Sequence, residues 1–432
     1  MEQRLLHPYE SMLSGSNITL AVQIQGQLSQ GNLLQALHQT ALIHPYLQYE
    51  ICIHQPDSQQ NTAKQFFQKK KPLEFNIHSE TAPVTQDSWQ ERIQKVSSSP
   101  QTNMNALSQI QLYSDPNNNN NDLILVFNHA GIDGLGVFHV LDILLQSLAK
   151  PSEVLGKKRV FQDIISRIPN SSGEIPYPSL PNDAHPPLMF SSNYPPNTPA
   201  QIKGVWAEFS EDETNQLRQI CRKNESTIQA VITTVEMIAL LKYLRQISPL
   251  PQTIIHMAPI NMRPFVEPPL EREDCVCGSS AVLWSQKITS TMGLWECIQD
   301  STVKLKQEIN RKAALRWWYN MAKGEFINPS TFMASSIGNT PIKKTYGEFT
   351  VSAVKLIGGA YDKAITSQAG SMVHAYTVCN HLNITLAFTN PPISKDWGQG
   401  ILDDMVFIIK NMLKISDKDL EIGQILQLLS LK

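Results

Sequence analysis

Residues 123–135 read LILVFNHAGIDGL, and the fold of the chain turns on this stretch. Its first five residues are a short, continuous apolar run, as a strand buried on both faces requires. Asn128 breaks the run, and His129 follows at its edge. Ala130 and Gly131 are small, Asp133 suits a helix N-cap, and Gly134 allows a backbone turn that a Cβ would hinder. Apolar residues then fall at Leu135, Phe138, Leu141, Leu145 and Leu148, one face of a helix turned toward a core. A strand, a tight turn and a helix thus hold one imidazole and one carboxylate on a rigid mount, where reacting groups are better fixed than on a loop. His129 is a candidate general base. The competing assignment is a buried histidine bonded to backbone, with Asp133 only capping the helix.

Composition narrows the classes. A chain of 432 residues is too long for one ordinary core and suits two domains. Its net charge of −2 gives no electrostatic pull toward nucleic acid or an anionic membrane. Cys52, Cys221, Cys275, Cys277, Cys297 and Cys379 form no CxxC pair, and Cys275-Val276-Cys277 is too short for a zinc knuckle. Reduced structural thiols and no metal site are expected. The opening MEQRLLHPYESML holds no signal-peptide apolar stretch, and the apolar helix at 231–244 carries Glu236 and Lys242 and is shorter than a membrane span. A cytoplasmic protein without a membrane span is the expectation.

Along the chain, residues 18–28 alternate as a strand with one buried face. Residues 31–44 follow as a helix with Leu33, Leu34, Leu37, Ala41 and Leu42 inward, stopped before Pro45. Residues 105–113 and 123–127 pair as a hairpin whose tip, the asparagine run 117–121, is exposed and mobile. Nine prolines between 169 and 199 preclude helix and disfavour sheet. The expected organisation is therefore an N-terminal half, 1–168, a linker, 169–200, and a C-terminal half, 201–432. In the second half, 205–209 is a strand, Ser210 caps an acidic helix start, 227–244 is a long helix, and 253–260 is a strand ending in Asn261-Met262-Arg263-Pro264.

His129-x-x-x-Asp133-Gly134 resembles the HxxxDG signature of the chloramphenicol acetyltransferase-like superfamily, which includes condensation domains, alcohol acetyltransferases and polyketide-associated acyltransferases. The layout of residues 18–47, with His44-Pro45-Tyr46-Leu47, is similar to the start of such chains. The resemblance implies an α/β fold of two chloramphenicol-acetyltransferase-like halves, each a mixed sheet flanked by helices, with a tunnel between them. It implies that Arg263 pairs with Asp133, which points away from substrate; otherwise Arg263 is a surface arginine at a strand end. Residues 334–340, after a helix expected to end near Ser330, resemble the S-N-x-G segment that lines the reaction chamber, with Ser336 at the asparagine position. That places Ser335, Ser336 and Gly338 among substrate-binding candidates, the alternative being an ordinary strand end. Asn128, where many condensation domains carry a first histidine, is a further candidate.

What the resemblance implies is acyl transfer from a thioester to a hydroxyl of a small metabolite in a specialised pathway, with no bound cofactor. Acyl-CoA or an acyl carrier protein is the co-substrate. A free-standing amide-forming condensation enzyme and a non-catalytic binding protein are the alternatives. Arg316-Trp317-Trp318-Tyr319 is expected as helix core, or else as a pocket wall. His374 and His381 are expected to be structural. Gly358-Gly359 is too little for a phosphate loop. Asp396-Trp397-Gly398, expected in a loop, is not the DFGWG motif of plant BAHD enzymes.

Overall fold

The computed structural model describes residues 3–54, 64–98, 107–151, 153, 156–176, 181, 184, 201–244, 250–325, 330, 332–360, 371–390, 393–414 and 419–431. Its strands are β1 (Gln3–Leu5), β2 (Ser16–Gln25), β3 (Tyr49–His54), β4 (Lys64–Lys69), β5 (Ile77–Thr81), β6 (Ser108–Asp115) and β7 (Asn120–Asn128). They continue with β8 (Gln201–Glu208), β9 (Gln252–Asn261), β10 (Ser279–Ile288), β11 (Phe332–Asn339), β12 (Thr345–Tyr346), β13 (Phe349–Ala360), β14 (Ser371–Val378) and β15 (His381–Asn390). Two six-stranded sheets result, in the orders β12-β13-β2-β7-β6-β5 and β10-β9-β11-β14-β15-β8, beside a small sheet β1-β4-β3. Both large sheets are mixed: β5–β6 is parallel in the first, and β11 runs parallel to both β9 and β14 in the second.

Each sheet buries a face under helices because its strands and their covering helices are apolar together. Helices Gln30–Ile43 and Gly134–Ala149 close the first core through Leu33, Leu37, Leu141 and Leu145 over Leu20, Val22, Leu123 and Leu125. Helices Ile228–Leu244 and Lys395–Lys414 cover the second. No helix among the described residues is long and apolar enough to cross a membrane.

Each half has its own mixed sheet, and the chain crosses between them. From the C-terminal half, β13 pairs onto β2 and β12 onto β13, which completes the first sheet. This crossing explains Gly358-Gly359, which lies in a strand where the two sheets pass closely. A Cβ at Gly359 would stand 2.5 Å from Ile202 Cδ1 of β8, and one at Gly358 would stand 3.0 Å from His374 Nε2 of β14. Trp206 of β8 donates its indole N–H to the Leu356 carbonyl at 3.0 Å, across the same seam.

Several local expectations are corrected. β2 is buried on both faces, because helix Ser88–Ser98 covers the side away from the first core. Leu42 is 55% exposed, since the next residue on a helix turns by about 100° from the buried Ala41. Asn120 and Asn121 belong to β7, and the buried Asn121 amide donates to the Ile24 and Gly26 carbonyls at 3.2 and 2.9 Å. Asp396-Trp397-Gly398 starts a helix, because Ser394 Oγ accepts from the Trp397 N–H at 3.1 Å. The helix expected to reach Ser330 stops at Ala322, followed by Gly324 at φ +79°. Most of the expected linker, at 177–180, 182–183 and 185–200, lies outside the described residues; before it, Asn170–Glu174 is a short 3₁₀ turn packed against Tyr319.

One buried group opposes stability. Glu236, on helix Ile228–Leu244, is fully buried, and neither carboxyl oxygen has a hydrogen-bond partner among the described residues. Burial drives its pKa well above 4.5, so the folded protein holds it protonated. Above pH 4.5 the unfolded chain ionises this residue while the folded chain does not, and stability falls as pH rises. Glu236→Leu is therefore expected to raise unfolding free energy by about 1–3 kcal/mol at neutral pH. Chemical denaturation of both proteins across pH 4–8 checks this; a gain that does not grow with pH refutes it.

Candidate active site

The stretch at 123–135 folds as the end of β7, a turn, and the start of helix Gly134–Ala149. β7 lies between β2 and β6, and its run is continuous because both faces are covered: Leu123, Leu125 and Phe127 enter the first core, Ile124 and Val126 pack under helix Ser88–Ser98. Asp133 sits at the helix N-cap with extended backbone, and its Oδ1 accepts from the Gly136 N–H at 2.8 Å. Tyr46 clamps the turn from outside. Its hydroxyl donates to the Asn128 carbonyl at 2.9 Å and also reaches the Leu107 carbonyl. A Cβ on Gly131 would stand 2.9 Å from the Tyr46 ring. The HPYL segment thus serves the motif turn.

Within that turn His129 is held at both ends. Its backbone N–H donates to the Ser16 carbonyl at 2.9 Å, and its Nδ1 lies 2.8 Å from the Ile132 carbonyl. A carbonyl accepts only, so Nδ1 carries the proton and Nε2 keeps its lone pair. Cys277 Sγ, 3.6 Å from Nδ1, shares that side of the ring. Burial lowers the His129 pKa below 6.5 against the opposing pull of Asp133 and the Ile132 carbonyl, so the ring is neutral at neutral pH.

Asp133 and Arg263 meet across 130 residues of sequence. Arg263 Nη1 donates to Asp133 Oδ2 at 2.7 Å and Nη2 to Oδ1 at 3.2 Å. The Gly278 N–H adds a bond to Oδ2 at 2.9 Å. The guanidinium also donates to the carbonyls of Asp274 and Val276 and to Asn261 Oδ1. Arg263 is fully buried, not a surface residue. Burial alone would raise the Asp133 pKa, but the guanidinium and the amides outweigh it and hold the carboxyl below 3.8. With both oxygens engaged in this way, the carboxylate has no bond to His129. Gly134 has no left-handed φ; its missing side chain makes room for Ile337 of β11, whose Cδ1 would lie 2.9 Å from a Cβ. Close packing, not a special turn, explains that glycine.

His129 opens onto a cavity of about 490 Å³ lined from both sheets. Asp133, Gly134, Ser335 and Ser336 also border it. Asn128 does not: its amide donates to the Ser14 carbonyl at 2.9 Å and accepts from the Ala130 N–H at 3.0 Å. Gly338 is likewise outside the wall, at φ +81° where β11 shifts register against β14. The aromatic cluster divides. Trp318 is fully buried core, whereas Trp317, on another face of helix Ala313–Ala322, borders the cavity. His374, expected to be structural, instead borders the cavity and lies beside Ser335 in the β11–β14 register. Nothing short of that strand pairing marks it in the sequence. All six cysteines are free, and no cluster able to hold a metal ion occurs among the described residues.

Compared by sequence, the chain matches no family model and no curated protein. Compared by structure, it is similar over almost its whole length to several solved proteins. Polyketide synthase associated protein 5 from Mycobacterium tuberculosis aligns with a TM-score of 0.68 at 14% identity, over 95% of this chain and 97% of that one. The condensation domain of the monacolin K polyketide synthase MokA aligns at 0.69 and 10%, over 98% and 99%. TRI3 trichothecene 15-O-acetyltransferase from Fusarium sporotrichioides aligns at 0.67 and 11%, over 94% and 95%. At such identities the likeness is one of architecture, and by that architecture the chain carries the two-lobed fold seen in these condensation-domain and acetyltransferase structures.

Proposed function

We propose that this protein transfers an acyl group from a thioester, acyl-CoA or an acyl carrier protein, to a hydroxyl of a small metabolite, with His129 as general base. The observation that carries the reading is the Nδ1 bond to the Ile132 carbonyl, which leaves a neutral imidazole with its Nε2 lone pair free. Nε2 takes the proton from the hydroxyl as its oxygen attacks the thioester carbon. A C–O bond forms, the tetrahedral intermediate collapses with loss of the C–S bond, and the proton passes from Nε2 to the departing thiolate. Ser335 and Ser336 supply hydroxyls to the developing oxyanion, and Asp133 with Arg263 holds the turn without touching the proton. The reactants approach His129 from opposite ends of a passage between the lobes. Holding them together contributes about 7–11 kcal/mol, more than the proton transfer. A mostly apolar wall favours an alcohol over an amine, which enters as an ammonium ion at neutral pH and must shed its proton and hydration first.

Thiol release from acetyl-CoA and octanoyl-CoA, each with and without 1-octanol or octylamine, tests the reaction. Acceptor-dependent release, greater with the alcohol, is expected. Preference for the amine would move the assignment to amide formation, and no acceptor-dependent release from CoA or carrier-protein thioesters would refute catalysis. Because burial holds the His129 pKa below 6.5, kcat/KM is expected to fall only as pH drops through a value below 6.5. An acid limb centred above 6.5 would exclude His129 as the base.

A further inference from the structure

His374 has no part in the proton transfer assigned to His129, yet it borders the same cavity. It is 8% exposed, and its Nδ1 is buried without a hydrogen-bond partner among the described residues. Its Nε2 edge faces Gly358, where the absence of a side chain leaves the ring uncovered: a Cβ there would stand 3.0 Å from Nε2. Burial, with the nearby His129, pushes its pKa down to about 4, so the ring is neutral and offers one N–H and one lone pair. The surrounding wall is apolar and adaptable, with Met12, Met257, Met333, Met372, Trp317 and Phe388 around the same space. Nδ1 is enclosed, so Nε2 is the edge that a bound molecule can meet, and a polar edge facing such a wall is costly until it is completed.

We infer that His374 is a specificity-determining residue: its imidazole hydrogen-bonds a second oxygen function of an otherwise apolar reactant whose reacting hydroxyl sits at His129. The identity of the reacting group rests on the acyl-transfer reading, whereas the two-point recognition does not. The substrate class is an apolar molecule with two oxygen functions a few bonds apart, such as a diol or a hydroxyketone. A monofunctional alcohol of the same size fills the apolar wall and leaves His374 without a partner, and sites built around a buried polar group discriminate against such analogues.

Calorimetric binding of 1-octanol and of 1,2-, 1,3- and 1,4-octanediol to the full-length protein tests this. At least one diol is expected to bind about tenfold more tightly than 1-octanol. His374→Phe should abolish that advantage while keeping the affinity for 1-octanol. Gly358→Ala, which covers Nε2 and keeps the ring, should reduce it; that variant carries the test if the phenylalanine protein does not fold. Equal affinities for alcohol and diols, an advantage that survives both substitutions, or no binding of any probe would overturn the inference. Diol selectivity without acyl transfer would sink the proposed reaction and leave this role standing. Transfer without diol selectivity would do the reverse.

Discussion

His129→Ala is expected to lower acyl transfer by about 10²–10⁴-fold, the usual worth of a positioned general base. Thermal unfolding should stay near that of the parent protein. The ring donates one hydrogen bond, to the Ile132 carbonyl, and otherwise borders the cavity, so truncation leaves no buried charge and opens little new space. What remains of the rate comes from holding thioester and acceptor together. Steady-state assays paired with calorimetry make the comparison, and full activity in the alanine protein would remove the mechanism. Asp133→Ala should behave differently, losing activity and stability together, because that carboxylate caps a helix and pairs with Arg263 but has no bond to the imidazole.

Arg263→Ala carries the largest expected cost in stability, about 3–5 kcal/mol. It strands the buried Asp133 carboxylate, with the carbonyls of Asp274 and Val276, without its cation. Arg263→Lys restores a charge but not the planar fork that serves both carboxylate oxygens, and should fall between the two. The sign of the pH dependence follows from Asp133, whose folded pKa lies below 3.8. The pair's contribution is complete above that value and is lost as pH falls through the depressed one, so the difference between parent and Arg263→Ala should narrow only in acid. Denaturation at pH 7 and at pH 3 measures both points. An unchanged unfolding free energy at pH 7 would mean the carboxylate is satisfied without its cation.

The strand, turn and helix around His129 were legible because each is encoded locally. A continuous apolar run, a capping aspartate and a helical spacing of leucines need no distant partner to be recognised. The pairing of Arg263 with Asp133 came from the family resemblance, not from spacing, since 130 residues separate the two. Asn128 sits in the right sequence and the wrong direction. Its amide turns back to Ser14 and Ala130, because side chains alternate along β7 and the cavity lies on the other side of the turn.

Sequence by itself therefore determined the mount: which histidine stands at the end of a buried strand, and which aspartate starts the helix after it. Tertiary structure alone decided what faces that histidine. Chain crossing put β13 into the first sheet, the parallel register of β11 and β14 set His374 beside Ser335, and one helical step parted Trp317 from Trp318. The reason is physical. Local patterns record which face of an element is apolar, whereas the walls of a cavity are chosen by strand pairing and register, which depend on residues hundreds of positions apart.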